Sequence, residues 1–205
     1  MNSSVYVDNW RTLHDDGYFH KHRHYAGWPI DDGSILKELT HYVGIYPTDD
    51  VLEIGCGYGR LMISIADHVH SITGIDLHEA PLKRARELLR LKRNAKVILN
   101  DGMSLPFEDG AFTLVYSSSS FQHMPRSIVR DYFRETARVL RSGGRACIQM
   151  LAAPAGGTWI DPSLIAEQSI GWTSEQIIAA ADGIDMHVKV QTSDGKSLLL
   201  IGSMS

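Results

Sequence analysis

A glycine-rich turn follows the first strongly apolar run of the sequence. Glu53, Gly55, Cys56, Gly57 and Gly59 lie in VLEIGCGYGR, where a buried strand is predicted to end and a helix to begin. In a parallel α/β sheet the ligand crevice lies at this end of the strands. Because glycine lets the backbone approach a ligand without an intervening Cβ, the segment predicts a cofactor-binding turn.

The charge of this turn bears on which cofactor it would bind. A dinucleotide fingerprint reads G-x-G-x-x-G or Ala, and counting from Gly55 its last position is Arg60 rather than a small residue. The carboxylate of Glu53 would repel a pyrophosphate, whereas it would attract an ammonium or a sulfonium group. Both features favour S-adenosylmethionine over NAD.

Two aspartates follow the next two predicted strands. Asp76 ends the second strand, where an acid accepts hydrogen bonds from ribose hydroxyls in adenosine-containing cofactors. Asp101 follows the third strand in NDGMSLPF, and with the next backbone amides and Met103 it could contact an adenine ring. A simple turn-forming role for Asp101 is the alternative.

Histidines supply the candidates for proton transfer and for metal binding. His123 follows the fourth predicted strand and titrates near neutral pH, which suits a general base. Alternatively it packs against or caps the helix that begins near Pro125. His20, His22 and His24 alternate with basic residues and have no acids nearby, which favours a solvated or substrate-facing loop over a metal site. We predict no metal.

These residues need a scaffold, and the hydrophobic pattern supplies one. From about residue 50 apolar runs alternate with helix-period stretches, as in the βαβ units of a mostly parallel sheet. The predicted strands are DVLEIG (50–55), SITGID (71–76), KVILN (96–100), AFTLVYS (111–117) and RACIQML (145–151). Predicted helices bury Leu61, Met62, Ile65 and Val69, then Leu82, Ala85, Leu88 and Leu89, and a third spans about 126–140 and stops at a glycine C-cap in Ser142-Gly143-Gly144.

The flanking segments have a different character. Residues 34–46 predict a helix that buries Ile35, Leu36, Leu39 and Val43, and residues 1–33, rich in His, Tyr and Trp, predict a lid. Residues 152–172 contain Pro and Gly and predict a substrate-side loop. MHVKVQT and KSLLLIG, separated by SDG, predict a C-terminal antiparallel hairpin.

Composition limits the classes of function. The 205 residues carry a formal net charge of −4 with two distant cysteines, and the chain has no run of apolar residues long enough to cross a membrane. We expect one domain (1–46 helix and lid, 47–151 cofactor-binding core, 152–205 loop, helix and hairpin). We also expect a soluble, cytoplasmic monomer or homodimer that binds neither nucleic acid nor membrane.

Taken together, VLEIGCGYGR, GIDLHEAPLKRAR, NDGMSLPFEDGAFTLVYS and RVLRSGG resemble the ordered motifs of class I S-adenosylmethionine-dependent methyltransferases of the small, metal-independent type, over about residues 46–151. The resemblance implies an α/β, Rossmann-like, mostly parallel sheet of seven strands in the order 3-2-1-4-5-7-6, with strand 7 antiparallel and helices on both faces. It also implies that the glycines face the methionine portion, Asp76 the ribose, and Asp101 with Gly102 and Met103 the adenine, with Ser117 near the reacting methyl group. The predicted cofactor-binding set is Glu53, Gly55, Cys56, Gly57, Gly59, Asp76, Leu77, Asp101, Gly102, Met103 and Ser117.

The segment after the fourth strand limits the classes of molecule that could accept the methyl group. SSSSFQHMP lacks the Asn- or Asp-Pro-Pro-aromatic motif of methylases that act on exocyclic amino groups of bases. The paired glutamates of protein arginine methyltransferases and the magnesium-binding acids of catechol-type enzymes are not evident either. A small-molecule acceptor therefore remains, with oxygen preferred over nitrogen. The alternatives are a noncatalytic cofactor-binding module, a nucleotide-dependent oxidoreductase, and an RNA-modifying enzyme suggested only by the basic helix over residues 83–93.

Overall fold

A computed structural model describes residues 31–153, 170–192 and 197–204. The strands are β1 (Asp50–Ile54), β2 (Ser71–Asp76), β3 (Ala95–Leu99), β4 (Phe112–Ser117), β5 (Leu140–Ala152), β6 (Gly171–Trp172), β7 (His187–Thr192) and β8 (Ser197–Ser203). The helices are α1 (Ser34–Tyr42), α2 (Met62–Ile65), α3 (Glu79–Leu88), α4 (Arg126–Val139) and α5 (Ser174–Ala180). Single 3₁₀ turns lie at Ala66–His68 and Phe121–His123.

The strands form one mostly parallel sheet in the order β3-β2-β1-β4-β5-β8-β7, in which β8 runs antiparallel to both of its neighbours. This confirms the predicted order 3-2-1-4-5-7-6, because β7 and β8 of the structure correspond to the predicted strands 6 and 7. The prediction of seven strands was wrong by one, because β6 pairs with β5 inside the segment expected to be a loop. There Ala153 donates its N–H to Trp172 O at 2.8 Å, and the buried Trp172 side chain holds this segment against the core.

Helices cover both faces of the sheet, as predicted. Alternation along β1 sends Val51 to one face and Leu52 to the other, and both are fully buried. Apolar side chains of α1, α2 and α3 pack on the first face, and those of α4 and α5 pack on the second. No helix within the described ranges is long and apolar enough to cross a membrane.

The predicted end of the helix over residues 34–46 was wrong, whereas the helix predicted over about 126–140 ends within one residue of the expected place but without the expected glycine cap. Helix α1 ends at Tyr42 rather than at 46, because Gly44 takes a left-handed φ of 76° and donates its N–H to Leu39 O. Helix α4 ends at Val139, and Leu140 is already extended. The predicted cap residue Gly143, with φ 73°, instead lies inside β5, at an irregularity where the pairing with β4 shifts register.

Candidate active site

A cavity lies at the carboxyl ends of β1, β2 and β4. Most of its wall comes from three segments. These are residues 53–58 at the end of β1 and beyond it, residues 75–78 at the end of β2 and beyond it, and most of residues 118–124 after β4. The sheet order places β1 between β2 and β4, so the connections turn in opposite directions at this point. Open α/β sheets bind their ligands in such a crevice, and the predicted site therefore has the expected place in the fold.

The glycine turn, residues 55–59, brings backbone rather than side chains to the cavity. Gly55 and Gly57 have φ angles of 74° and 53°, which favour glycine. A Cβ on Gly57 would meet nothing within 4 Å, so that position opens onto free space. Gly59 (φ 78°) does not line the cavity; a Cβ there would lie 3.1 Å from Leu89 Cδ1, against α3.

Asp76 lies at the end of β2 and joins two walls of the cavity. Its Oδ2 accepts the Gly57 N–H at 2.9 Å, and its Oδ1 accepts the His78 N–H at 3.1 Å. Burial raises the pKa of Asp76 to about 6, although these backbone hydrogen bonds oppose the shift. The Leu77 N–H also bonds to this carboxylate, so three of its roughly four acceptor positions are used and one remains for a ligand hydroxyl.

Glu53 is the most deeply buried acid of the cavity, with 1% of its surface exposed. The Tyr116 hydroxyl donates to its Oε2 at 2.6 Å. Burial raises the pKa of Glu53 to about 8, and the Tyr116 hydrogen bond and the charge of Arg60 only partly oppose this. A cation placed beside Glu53 would favour the ionised carboxylate and lower this pKa.

Only some of the residues predicted around the adenine line the cavity. Gly102 and Leu77 line it, and a Cβ on Gly102 would lie 2.4 Å from Leu77 Cδ2. Asp101 and Met103 do not line it. The exposed carboxylate of Asp101 accepts the N–H groups of Met103 at 2.8 Å and Ser104 at 3.0 Å, which is the turn-forming alternative. The adenine role of Asp101 and Met103 stays a prediction.

Sequence reasoning missed two residues on this side. Asn100 is 5% exposed, lines the cavity, and donates from Nδ2 to the Tyr132 hydroxyl at 3.2 Å. Its position directly after β3, at the same edge of the sheet as Glu53 near the end of β1 and Asp76 at the end of β2, could have revealed it. Tyr132 reaches the cavity from α4, and nothing in the surrounding sequence distinguishes it from the apolar face of that helix.

The wall after β4 is formed by the residues that follow Ser117. Ser117 is buried and donates from Oγ to Ile54 O at 2.8 Å, and it does not line the cavity. Ser118, Ser119 and Ser120, which we call the serine turn, do line it. The sequence predicted that the connection after β4 reaches the cavity, and in the structure the residues that line it begin at Ser118, one position after Ser117.

His123 lies on the 3₁₀ turn after the serine turn and lines the cavity. Its Nε2 is 3.2 Å from Gln122 Nε2. Helix α4 begins after Pro125, two residues beyond His123. The imidazole is thus at the predicted edge of the sheet, and its role as a base stays a prediction beside the structural alternative.

The remaining predictions fall mostly on other parts of the chain. Cys56 lines the cavity, and burial raises the pKa of its thiol well above the usual value. The histidines His20, His22 and His24 and the aromatic residues of segment 1–30 lie outside the described residues, as does most of the loop 152–172. Within residues 31–153, 170–192 and 197–204, no three His, Cys, Asp or Glu side chains are grouped as metal ligands.

Comparison with known proteins agrees with this architecture. Residues 51–144 match the profile of a family described as a methyltransferase domain. The 27-O-demethylrifamycin SV methyltransferase of Amycolatopsis mediterranei is 32% identical over 148 residues, or 65% of this chain and 53% of that relative. The 24-methylenesterol C-methyltransferase 2 of Oryza sativa subsp. japonica is 36% identical over 102 residues, or 48% of this chain and 28% of that relative.

A solved structure shares the fold over nearly its full length. The crystal structure of an S-adenosylmethionine-dependent methyltransferase from Mesorhizobium loti superposes with a TM-score of 0.68, covering 85% of this chain and 99% of that one at 18% identity. Over residues 51–144 the chain is therefore similar in sequence to a methyltransferase domain, and the described sheet has the fold of S-adenosylmethionine-dependent methyltransferases. The chain spans about half or less of the length of the two curated relatives named above.

Proposed function

We propose that the chain transfers a methyl group from S-adenosylmethionine to a hydroxyl oxygen of a small molecule. The observation that carries this proposal is the pair of enclosed carboxyl groups, Glu53 and Asp76, beside an open glycine turn. The pKa of each is raised by burial, so both sites favour a bound positive charge or hydrogen-bond donors. An ammonium, a sulfonium and ribose hydroxyls together satisfy both requirements.

The residues at the cavity fit this cofactor. The open side of Gly57 leaves room for the methionine portion, with Gly55 and Cys56 beside it and Glu53 beneath it. Asp76 would accept the ribose hydroxyls, and Leu77 and Gly102 would contact the adenine. Gly59 would shape the turn by packing on α3. Ser117 would act through the serine turn, since its own hydroxyl is bound to Ile54 O.

When bound, S-adenosylmethionine supplies an electrophilic methyl group and leaves as S-adenosylhomocysteine. The contribution of the protein is to hold the acceptor oxygen in line with that methyl group and to exclude water, and such positioning can be equivalent to about 10⁵ to 10⁸ M. The acceptor loses its hydroxyl proton as the carbon–oxygen bond forms. His123 lines the cavity on the side of β4 and would accept that proton.

The neutral polar wall of residues 118–123 supports a hydroxylated acceptor. The described part of this wall presents three serine hydroxyls, an amide and an imidazole. A relative named for methylation at an oxygen, the rifamycin enzyme, supports oxygen, although the sterol relative is named for methylation at carbon. Oxygen is therefore our proposal for this chain.

Isothermal titration with S-adenosylmethionine, S-adenosylhomocysteine and NAD in parallel tests the cofactor. We expect the first two to bind with micromolar affinity and NAD not to bind. A panel of hydroxylated and amino-bearing metabolites is then tested for methylation. Binding of NAD alone would overturn the proposal. Cofactor binding without transfer to any acceptor would instead indicate a noncatalytic module.

The role of His123 is tested by His123→Ala once an acceptor is found. We expect kcat to fall by about 10² to 10⁴, the usual contribution of a general base, while the affinity for S-adenosylmethionine stays the same. His41→Ala, which removes an exposed imidazole on α1 that does not line the cavity, is the matched control. An unchanged kcat for His123→Ala would show that the imidazole only packs.

A further inference from the structure

The serine turn is held in a conformation that its own sequence does not favour. Ser119 has a φ of 61° and is the only non-glycine residue in the described ranges with a positive φ. Serine adopts this left-handed region rarely, because its Cβ crowds the backbone. Residues kept in such conformations need support from their surroundings and are found at functional sites. The source of this support is therefore informative.

Gln149 supplies the support from the neighbouring strand β5. Its Oε1 accepts the Ser119 backbone N–H at 3.0 Å, the Ser118 hydroxyl at 3.0 Å and the Ser119 hydroxyl at 3.3 Å. A backbone N–H can only donate, so the atom that faces the turn is the amide oxygen. One side chain thus binds two successive residues of the cavity wall.

The opposite side of the serine turn rests on the glycine turn. Ser120 Oγ donates to Gly55 O at 3.3 Å. A Cβ on Gly55 would lie only 2.1 Å from Ser120 Oγ, so the two turns are in close contact. The chain then passes directly into the 3₁₀ turn, where the His123 N–H bonds to Ser120 O at 3.0 Å. A shift of the serine turn would therefore change both the contact with the glycine turn and the place of His123.

We propose that Gln149 is a positioning residue that fixes the serine turn against the place of the reacting methyl group. This inference rests on the proposed methyl transfer and extends it to a residue that does not line the cavity. Without the amide oxygen, Ser118 and Ser119 lose their common acceptor and the turn moves away from Gly55. In-line transfer is sensitive to displacements of about 1 Å, so loss of this support affects the reaction more than it affects cofactor binding.

The test uses S-adenosylmethionine labelled with ¹³C in its methyl group, added to the full chain and observed by NMR. In Gln149→Met, which keeps the length of the side chain but removes the acceptor, we expect the bound methyl resonance to move by more than its linewidth. The dissociation constant is expected to change by less than about twofold. Gln149→Glu, which keeps an acceptor oxygen, is expected to restore the wild-type resonance.

Two controls separate positioning from general stability. Gln176→Met removes part of the capping box of α5, far from the serine turn in the chain, and should lower the melting temperature without moving the resonance. Ser119→Gly removes the steric cost of the positive φ at this position, since glycine has no Cβ. It should therefore reduce the effect of Gln149→Met in the double variant. An unmoved resonance in Gln149→Met would overturn the inference. Failure of the wild type to bind the labelled cofactor would instead overturn the proposed function.

Discussion

The two ends of the sheet contain buried or partly buried carboxylates in opposite surroundings. At the amino ends of the strands, Asp49 is 2% exposed and its Oδ2 lies 2.7 Å from Arg145 Nη2. Its oxygens also accept from Thr113 Oγ1 and from the Tyr46 N–H, both at 2.8 Å. At the carboxyl ends, Glu53 and Asp76 form no ion pair of this kind within the described residues.

The difference separates carboxylates that serve folding from carboxylates that serve a ligand. A buried charge is stable when a partner and hydrogen bonds compensate for its lost hydration, as for Asp49. At the cavity this compensation is incomplete, and the pKa of Glu53 rises to about 8 and that of Asp76 to about 6. A bound cation or hydroxyl would supply what is missing. Changes at the two ends should therefore have different consequences.

The largest effect on stability is expected from Asp49→Ala. This variant leaves the guanidinium of Arg145, which is 20% exposed, without its carboxylate, and removes the acceptor of Thr113. Removing one partner of a buried pair costs about 3 to 5 kcal/mol, and the partial exposure of Arg145 places this variant near the lower end. Denaturant unfolding measures the loss, and titration should show unchanged affinity for S-adenosylmethionine. Reduced affinity in the folded variant would break the proposed separation of the two ends.

This contrast also explains which features the sequence could reveal. Strands β1 and β2, the glycine turn and Asp76 depend on local pattern and on backbone geometry, so they could be predicted from residues 50–76 alone. The support of Ser119 by Gln149 and the contact of Asn100 with Tyr132 join residues about 30 positions apart. No periodicity encodes such pairs. The predicted glycine cap of α4 was wrong for a related reason, because pairing of β5 with β4 rather than the glycine in the sequence decided where α4 stops.

A change at the cavity end should affect binding and leave folding intact. For Asp76→Ala we expect the affinity for S-adenosylmethionine to fall by about 10- to 100-fold, since hydrogen bonds to a charged group contribute about 1.5 to 3 kcal/mol. The domain should stay folded at pH 7 with at most a modest fall in melting temperature, because the lost acceptor of the Gly57 and His78 N–H groups is partly offset by removing a carboxylate whose ionisation is disfavoured. Titration and thermal unfolding of the same preparation measure both quantities.

Asp101→Ala is the matched control for this experiment. Asp101 was predicted to contact adenine, but its carboxylate is exposed and bound to the amides of Met103 and Ser104. We expect its effect on affinity to be clearly smaller than that of Asp76→Ala. An equal loss in the two variants would mean that this turn closes on the adenine, and unchanged affinity in Asp76→Ala would remove the ribose role.

The smallest and most specific effect is the pH dependence of binding through Glu53. With a pKa of about 8, Glu53 is mostly protonated at pH 7 in the protein alone. A bound cation favours the carboxylate, so binding should release a proton and affinity should rise by up to about tenfold per pH unit below pH 8. Titration at pH 7.5 in two buffers of different ionisation enthalpy counts the released protons. Glu53→Gln should release fewer, and equal release in both proteins would exclude Glu53 as the partner of the cation.

The same raised pKa predicts the sign of a stability change. Because the folded state favours protonated Glu53, this group stabilises the fold below its unfolded pKa of 4.5, and that contribution is lost as pH rises through about 8. Glu53→Gln lacks the ionisation, so its stability relative to the wild type should rise as pH increases from about 5 to 8 and level off above that. Asp49→Asn, the matched variant at the amino ends, should be less stable than the wild type throughout this range, because it breaks the ion pair with Arg145. A gain in both variants would show that the ends of the sheet do not differ in the way proposed.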